Sequence, residues 1–286
     1  MLEIRDLSKK YKQHTALEGV TFKIAEGEVV GLLGHNGAGK TTLIRIVTQL
    51  IEADEGTIAF MGEPLGVNHS YSVGYLPEER GLYKKMRVDE YLLYICRLRE
   101  LITRDAKQQI DNWLDRLDLR EWKRKEINAL SKGMQQKVQF IAAVVHEPQL
   151  LILDEPFSGF DPINEQAIIR EVIRLKQNGT SILLSTHRMD SVDELCDKII
   201  FINQGKVVYA GTLEGIKAAY IQDEFEVSFR SQMQLPNAIY LGVKNGLNNY
   251  LITDLSSITP HQKSIVDIQR KQKSLKEIFI AKTQGE

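Results

Sequence analysis

Long apolar runs are missing from this sequence. No uninterrupted apolar stretch reaches the roughly 18 residues that a membrane-spanning helix requires, and the longest ones have the length of a single strand or short helix. The first residues also lack the basic segment and the following apolar segment of a secretory signal. These absences predict a globular protein without a membrane span, which stays in the compartment where it is made.

Cysteine is scarce, and the charges nearly cancel. The two cysteines, Cys96 and Cys196, lie far apart in segments with a helical apolar pattern. Such an arrangement argues against a disulfide framework or a zinc site and favours a reduced, cytoplasmic setting. The 37 basic and 38 acidic side chains give a formal net charge of −1. This balance provides no general attraction to nucleic acid or to anionic lipid.

A glycine-rich segment carries the strongest chemical signal. Gly34 and Gly39 are separated by four residues and followed by a lysine and a threonine, which is the pattern of a phosphate-binding P-loop. Lys40 can reach the β- and γ-phosphates of a nucleotide, while the Thr41 hydroxyl holds Mg²⁺. An apolar strand pattern precedes the segment and a helical pattern follows it, as the motif requires. The predicted phosphate-binding residues are Gly34, Asn36, Gly37, Ala38, Gly39, Lys40, Thr41 and Thr42.

Two adjacent carboxylates follow a second buried strand. The apolar run at residues 150–153 ends in Asp154 and Glu155. Asp154 is predicted to hold Mg²⁺ through its water shell, and Glu155 to polarise the attacking water. Two adjacent acidic residues on a surface loop would not indicate a catalytic site. Their place at a strand end, in a chain that also has a P-loop, favours an ATPase.

The remaining periodicities predict an α/β nucleotide-binding core interrupted by a helical subdomain. Residues 1–25 alternate apolar and polar positions as antiparallel strands do, and further short strands are expected at residues 57–60 and 73–76. Helical stripes run from residue 88 to about residue 146. Strands then alternate with helices between residues 150 and 202, which is typical of a parallel sheet.

A change of pattern near residues 219–223 marks a second, small domain. Strand-like alternation at residues 225–229 and 239–243 is followed by a helical pattern from Pro260 onward. We therefore expect a small α+β accessory domain at residues 221–286.

The closing helix of this domain begins with a capping box at Ser274. Its apolar face, formed by Leu275, Ile278 and Phe279, is predicted to hold or regulate a dimer. The basic cluster at residues 270–273 is expected on a solvated helix face. The domain carries 8 basic and 7 acidic side chains, a balance that argues against an RNA-binding tail.

A third motif, the signature segment at residues 130–137 (Leu-Ser-Lys-Gly-Met-Gln-Gln-Lys), precedes the paired carboxylates by some twenty residues. With the P-loop and Asp154-Glu155, it resembles the ATP-binding-cassette (ABC) ATPases over roughly residues 1–220. Ser131 can cap the helix that starts there, so that its hydroxyl and the Gly133 backbone offer donors to an anion. In the family, this anion is the γ-phosphate on the P-loop of another cassette. The resemblance implies a dimer of cassettes, identical or homologous, that closes on two Mg·ATP.

The resemblance also implies a fold. ABC cassettes are α/β P-loop NTPases with a RecA-like core, an antiparallel β subdomain and a helical subdomain. Here the cassette would occupy residues 1–220, with its helical subdomain at about residues 88–146.

Further positions match family motifs. The loop at residues 158–161 lies where the family contacts the partner cassette. His187 resembles the switch histidine that touches the γ-phosphate and orients the water, and Tyr11 matches the aromatic residue that stacks on adenine. The catalytic residues implied in this way are Glu155, His187 and Lys40.

Some positions depart from the family pattern. Most cassettes have a glutamine where the segment at residues 74–80 carries Glu78. A carboxylate binds Mg²⁺ more strongly than an amide but repels the γ-phosphate. Lys132 and Met134 replace the usual glycine and glutamine of the signature segment. They leave intact the contacts that Ser131 and Gly133 would make with the anion. The implied Mg²⁺ ligands are Thr41, Asp154 and Glu78.

The segment around Glu78 and the appended domain resemble the sodium-efflux and drug-resistance branch of bacterial exporters. This implies an ATPase subunit on the cytoplasmic face of the cell membrane, with a separate membrane-spanning permease docking near residues 82–88. The substrate would be a sodium ion or a drug-like or peptide molecule, and its path would lie in the permease.

Two alternatives belong to other functional classes. A cassette that acts on ribosomes or nucleic acid is expected to have two fused cassettes or long basic insertions, whereas this chain has one cassette and a nearly neutral tail. A non-hydrolysing regulatory cassette is expected to have lost Glu155, Lys40 or His187, and all three are present. We therefore expect no nucleic-acid partner.

Overall fold

The computed structural model describes residues 1–12, 14–79, 81–235 and 237–284. The chain forms two compact units, Met1–Thr212 and Leu213–Glu286. The second unit therefore includes the helix Leu213–Ala219, which the predicted boundary at residue 220 assigned to the cassette. No helix of the described residues is long and apolar enough to span a bilayer.

The first unit contains two sheets and a group of helices. Its strands are β1 (Leu2–Tyr11), β2 (His14–Ile24), β3 (Val29–Leu33), β4 (Glu55–Phe60), β5 (Glu63–Pro64), β6 (Val73–Leu76), β7 (Leu150–Asp154), β8 (Ser181–Ser185), β9 (Lys198–Asn203) and β10 (Lys206–Thr212). Its helices are α1 (Lys40–Val47), α2 (Val88–Leu98), α3 (Thr103–Arg116), α4 (Lys132–Val144), α5 (Pro162–Gln177) and α6 (Met189–Leu195).

A mixed sheet with the order β10-β9-β3-β8-β7-β6 forms the centre of the first unit. All of its neighbouring pairs are parallel except the β9–β10 pair. Every residue of β3, β7 and β8 is buried, which explains their continuous apolar runs. Because parallel strands end at the same edge, the segments that follow β3, β8, β7 and β6 meet at one edge of this sheet.

The second sheet of this unit is antiparallel, with the order β2-β1-β4-β5. β1 and β2 form the hairpin predicted for residues 1–25, with Leu2 opposite Ile24 and Tyr11 opposite His14. The predicted helical insertion consists of α2, α3 and α4. Trp113 of α3 and Phe140 of α4 pack edge to face in its interior.

The second unit is an antiparallel sheet with flanking helices. Its strands are β11 (Ile221–Phe229), β12 (Ile239–Lys244), β13 (Leu247–Ile252) and β14 (Ile265–Gln272), in the order β12-β13-β11-β14. The helices are α7 (Leu213–Ala219), α8 (Leu275–Gln284) and a 3₁₀ helix at Leu255–Ser264. The buried side chains of Val227, Phe229, Tyr250, Ile252 and Ile258 form its core.

Two predictions for this unit are wrong. The helix expected from Pro260 onward is a 3₁₀ helix that ends at Ser264, and β14 follows it. Ile265 and Ile268 have a helical spacing, but Ile268 pairs with Val227 of β11, and this long-range pairing decides the conformation. Most of the basic cluster therefore lies on a strand and not on a helix.

The closing helix shows the predicted capping box and an unexpected burial. The backbone N–H and the hydroxyl of Ser274 donate to Glu277 Oε2, and the N–H of Glu277 donates to Ser274 Oγ. However, Leu275, Ile278 and Phe279 are each at least 96% buried. Their face is therefore not a free surface on which a dimer could form.

Candidate functional site

The P-loop joins β3 to α1, and two of its glycines are required by their surroundings. Gly39, at the N-terminus of α1, has φ 111°, and a Cβ there would lie 2.6 Å from the carbonyl oxygen of Ala16. A Cβ on Gly34 would lie 2.5 Å from the carbonyl oxygen of Ile202. The rest of the loop is more open: Asn36, Gly37 and Thr41 are exposed, Thr42 is half-buried and Ala38 is buried.

Lys40 lies inside this loop and is buried. Its ammonium donates to the carbonyl oxygens of Gly34 at 2.7 Å and His35 at 3.2 Å. Since an ammonium has three N–H groups, one remains for an anion. Burial lowers the pKa of Lys40, and three acidic side chains close to it oppose that shift. These side chains belong to Glu155, Asp154 and Glu78.

Asp154 is the buried member of this acidic group. It ends β7 opposite Ser185 of β8, and 4% of its surface is exposed. Burial raises the pKa of Asp154, and the charges of Glu78 and Glu155 raise it further. Three carboxylates around Lys40 leave an excess of negative charge, which a divalent cation would neutralise.

Glu155 has a backbone conformation that is uncommon for a residue with a side chain. Its φ is 49°, in the left-handed region, and its N–H donates to the carbonyl oxygen of Ser185 at 2.8 Å. This hydrogen bond ties the residue to the end of β8. A residue with a side chain is strained in this conformation and keeps it only where the surrounding structure holds it. Such residues are concentrated at functional sites.

The carboxylate of Glu155 contacts the segment that follows β8. Its Oε1 lies 2.9 Å from His187 Nδ1, and its Oε2 accepts a hydrogen bond from Thr186 Oγ1 at 3.3 Å. The Glu155 side chain is only 11% exposed, whereas that of His187 is 68% exposed. Both oxygens of the predicted base are therefore held in position. The sequence analysis did not identify Thr186, although a hydroxyl residue between an apolar strand pattern and His187 was a signal.

Glu78 lies in the loop after β6 and is exposed. The amide nitrogen of Gln139 donates to the carbonyl oxygens on either side of it, those of Pro77 at 3.1 Å and Glu79 at 3.3 Å. The sequence analysis missed Gln139 as well. A glutamine within an apolar helical run could have indicated it, because such side chains are buried only with partners. Arg80, the last residue of the segment at residues 74–80, lies outside the described residues.

The signature segment begins α4. Ser131 is the N-cap, and its hydroxyl accepts a hydrogen bond from the N–H of Met134 at 3.3 Å. A Cβ on Gly133 would lie 3.3 Å from Asn164 Nδ2. In the part of the chain that the structure describes, no hydrogen bond joins Ser131 or Gly133 to the P-loop. These two residues are therefore not part of the Lys40 group within one chain.

Tyr11 and the loop at residues 158–161 lie apart from that group. Tyr11 ends β1 with its ring exposed, and the ammonium of Lys9 lies 5.8 Å from the ring centre. Asp161 caps α5, because its Oδ1 accepts the N–H groups of Ile163 and Asn164 at 3.1 and 3.0 Å. The side-chain amide of Gln136 on α4 donates to the carbonyl oxygen of Ser158.

The predicted Mg²⁺ ligands fit that ion by their chemistry. Among the described residues, no group of three or more His, Cys, Asp or Glu side chains is placed to hold a metal. The predicted set consists of a hydroxyl and two carboxylates, those of Thr41, Asp154 and Glu78. Mg²⁺ prefers oxygen ligands and is usually bound by one or two carboxylates together with substrate phosphates.

Comparisons with known proteins agree with this geometry. The ABC transporter family model matches residues 17–158. YhaQ of Bacillus subtilis (strain 168), described as an uncharacterized ABC transporter ATP-binding protein, is 46% identical over 77% of this chain and 74% of its own length. The linearmycin resistance ATP-binding protein LnrL of the same strain is 28% identical, and the match covers 98% of this chain and 97% of that protein.

A solved structure is also similar to most of this chain. It is that of an ATP-binding subunit of an ABC transporter, with a TM-score of 0.72 and 34% sequence identity. The match covers 77% of this chain and 93% of that chain. The sheet order and the helical insertion described above are therefore those of a P-loop cassette.

Proposed function

Since this chain belongs to the ABC transporter family as an ATP-binding subunit, we propose that it hydrolyses ATP and that hydrolysis drives export through a separate membrane-spanning subunit. The observation that supports hydrolysis most directly is the environment of Glu155. Its carboxylate is held by His187 and Thr186 and lies close to Asp154 and Lys40. A carboxylate fixed next to a phosphate-binding loop has the position that a general base requires.

We infer that the P-loop binds the phosphates of ATP. Its N–H groups and the N-terminus of α1 supply donors, and Lys40 supplies a buried positive charge. Thr41, Asp154 and Glu78 would hold Mg²⁺. When bound, Mg²⁺ would neutralise the charge that develops on the transferred phosphoryl group.

The roles of Glu155 and His187 follow from their contact. Glu155 would orient the attacking water and accept its proton. Donation from His187 Nδ1–H to Glu155 would keep the carboxylate in place, and an Nε2–H would donate to the γ-phosphate. Because the His187 side chain is mostly exposed, it can reach a nucleotide at the edge of the sheet.

We propose that two cassettes, identical or homologous, act together. At the start of α4, Ser131 is exposed and Gly133 is half-buried, and among the described residues neither is hydrogen-bonded to the P-loop of its own chain. They would contact the γ-phosphate on a partner cassette through the helix N-terminus. Tyr11, exposed at the end of β1, would stack on the adenine.

The membrane-spanning partner would dock near residues 82–88. Tyr83 in this segment is exposed, and its ring packs against those of Tyr91 and Tyr94 on α2. The segment is also tied to the short 3₁₀ helix before α4, Ile127–Ala129, because the Ile127 N–H donates to the Met86 carbonyl. Docking there would place the chain on the inner face of the membrane.

The exported molecule would be a sodium ion or a drug-like or peptide compound. LnrL is named for resistance to linearmycin, and it matches nearly the whole of this chain, including the second unit. A role on ribosomes or nucleic acid is less well supported, since the net charge is −1 and the relatives described above are named as transporter subunits or resistance proteins.

Hydrolysis is tested by replacing Glu155 with glutamine and measuring phosphate release from ATP by the purified chain. Removal of a positioned general base costs about 10² to 10⁴ in rate, so E155Q should nearly abolish turnover. Binding of ATP should persist, because Lys40 and the loop are unchanged. Glu121→Gln, the same substitution at an exposed glutamate, is the matched control and should leave turnover unchanged. Normal turnover by E155Q would contradict the proposed role of Glu155.

A further inference from the structure

Gln139 is a buried polar residue on α4, and its side chain makes hydrogen bonds to another segment of the chain. Its neighbours Val138, Phe140 and Ile141 are fully or almost fully buried, and Gln139 itself is 6% exposed. A polar amide in such a place is costly unless its donors are used. Among the described residues, its amide nitrogen donates to the loop that carries Glu78, about sixty residues earlier in the chain.

The two hydrogen bonds fix the backbone around Glu78. One amide nitrogen has two N–H donors, and here they reach the carbonyl oxygens immediately before and after Glu78. Within the described residues, the Glu78 carboxylate makes no hydrogen bond or ion pair of its own. The location of this carboxylate is therefore set by the backbone that Gln139 holds.

The charge of Glu78 acts on the candidate nucleotide site. This charge raises the pKa of Lys40, against the effect of burial, and it raises the pKa of Asp154 further. Glu78 therefore lies within electrostatic reach of both side chains. A glutamate at position 139 would repel the two loop carbonyls, and an apolar side chain would leave them without a donor. An amide is the side chain that this position needs.

The helix that carries Gln139 also carries the signature segment. Ser131 caps α4, and Gln139 follows eight residues later, about 12 Å along the same helix. A hydrogen-bonded helix is rigid over this length. A displacement of the N-terminus of α4 would therefore be transmitted to the loop of Glu78.

On the premise of the proposed function that Glu78 is a ligand of Mg²⁺, we propose that Gln139 is a positioning residue for Glu78. Through its two hydrogen bonds it holds the carboxylate toward the Mg²⁺ position and links the signature segment to that position. Gln139 does not touch the nucleotide or the metal. Its effect is exerted on the Mg²⁺ dependence of hydrolysis through Glu78.

The test is a Mg²⁺ titration of ATP hydrolysis by the full-length chain carrying Gln139→Met. Methionine has a similar volume but no donor, so the packing is kept and the two hydrogen bonds are lost. We expect the half-saturating Mg²⁺ concentration to rise about five- to tenfold, as the loss of one to two such hydrogen bonds gives. The rate at saturating Mg²⁺ should stay within about threefold of the unmodified chain.

A matched control and a double-mutant cycle separate positioning from folding. Gln109→Met, the same substitution on α3, breaks one amide–carboxylate hydrogen bond, to Glu147 Oε1 at 2.7 Å, without touching the Glu78 loop or the signature segment. It should leave the half-saturating Mg²⁺ concentration within about twofold. In a Glu78→Ala chain, Gln139→Met should likewise have no further effect, because the side chain that it positions is gone.

Three results would overturn the inference, and they are distinguishable. An equal effect of Gln139→Met with and without Glu78 would show that Gln139 does not act through Glu78. An effect of Gln109→Met as large as that of Gln139→Met would show that the change in Mg²⁺ dependence is not specific to the Glu78 loop. If Glu78→Ala by itself left the Mg²⁺ dependence unchanged, the premise that Glu78 binds Mg²⁺ would fail, and the role of Gln139 with it.

Discussion

The two glutamates near Lys40 are supported differently, and this difference indicates different roles. The Glu155 side chain is nearly buried, and His187 and Thr186 hold its two oxygens. Glu78 is exposed, and within the described residues it is held through its backbone. A general base must keep a fixed position relative to the water, whereas a metal ligand on a loop can move with the ion. We therefore assign the proton transfer to Glu155 and a metal-binding role to Glu78.

This assignment predicts the effect of Glu78→Gln. The substitution removes one negative charge near the phosphate site and keeps the shape of the side chain. It should change the Mg²⁺ dependence and keep turnover within about tenfold, or about 1.4 kcal/mol of activation free energy. Steady-state hydrolysis measured over a Mg²⁺ series checks this. If E78Q were as inactive as E155Q, Glu78 would have to be counted among the catalytic carboxylates.

At the level of residues, the sequence predicted which side chains lie together in the site, but it did not predict the residues that hold them in position. Lys40, Asp154 and Glu155 each follow or end a buried strand, so their meeting at one sheet edge could be inferred. Gln139 lies within α4 and could not be found in this way, and Thr186 follows β8 but its sequence position does not reveal its contact with Glu155. Their partners lie 31 to 62 residues away in the chain, and only the folded sheet shows these contacts. The catalytic and binding roles themselves stay predictions.

At the level of elements, the central strands were predicted correctly because both of their faces are covered. β3, β7 and β8 are fully buried, and a continuous apolar run is unambiguous there. β14 was mistaken for a helix because its conformation is decided by pairing with β11, which local spacing does not reveal. β10 and β13 were not predicted. β10 lies at a sheet edge and alternates exposed and half-buried positions, so its sequence signal is weak.

The cap of α5 gives a prediction about pH. Hydrogen bonds from the Asn164 N–H and side chain, and from the Ile163 N–H, hold the pKa of Asp161 below its usual range. A carboxyl group with a lowered folded-state pKa stabilises the fold above its unfolded-state pKa, and this contribution is lost as the pH falls through the folded-state value. The thermal midpoint should therefore fall in acid partly because the cap becomes protonated.

Asp161→Asn checks this expectation, because asparagine caps a helix about as well and does not titrate. Between about pH 6 and pH 3, the thermal midpoint of D161N, followed by circular dichroism, should fall less than that of the unmodified chain. Asp267→Asn replaces an exposed aspartate on β14, which caps no helix, and is the control. Equal pH dependence of D161N and the unmodified chain would show that the cap does not contribute in acid.

At the level of the whole molecule, the chain combines a complete set of nucleotide-binding motifs with a second unit of a different fold class. The motifs lie in the first unit, Met1–Thr212. Its fold was predicted almost completely, because a P-loop, paired carboxylates and a signature segment occur together in one order. The sequence predicted that the apolar face of α8 holds or regulates a dimer, but this face is buried and offers no free surface for one.

The central claim is that this chain is the ATP-hydrolysing subunit of an exporter whose membrane-spanning part is another protein. The most direct measurement follows the chain in its own cells through membrane fractionation, detergent solubilisation and copurification. We predict that much of it sediments with membranes, copurifies with a membrane-spanning protein, and leaves the membrane fraction when that protein is deleted. Recovery of the chain on ribosomes or DNA, with none bound to membranes, would contradict the account.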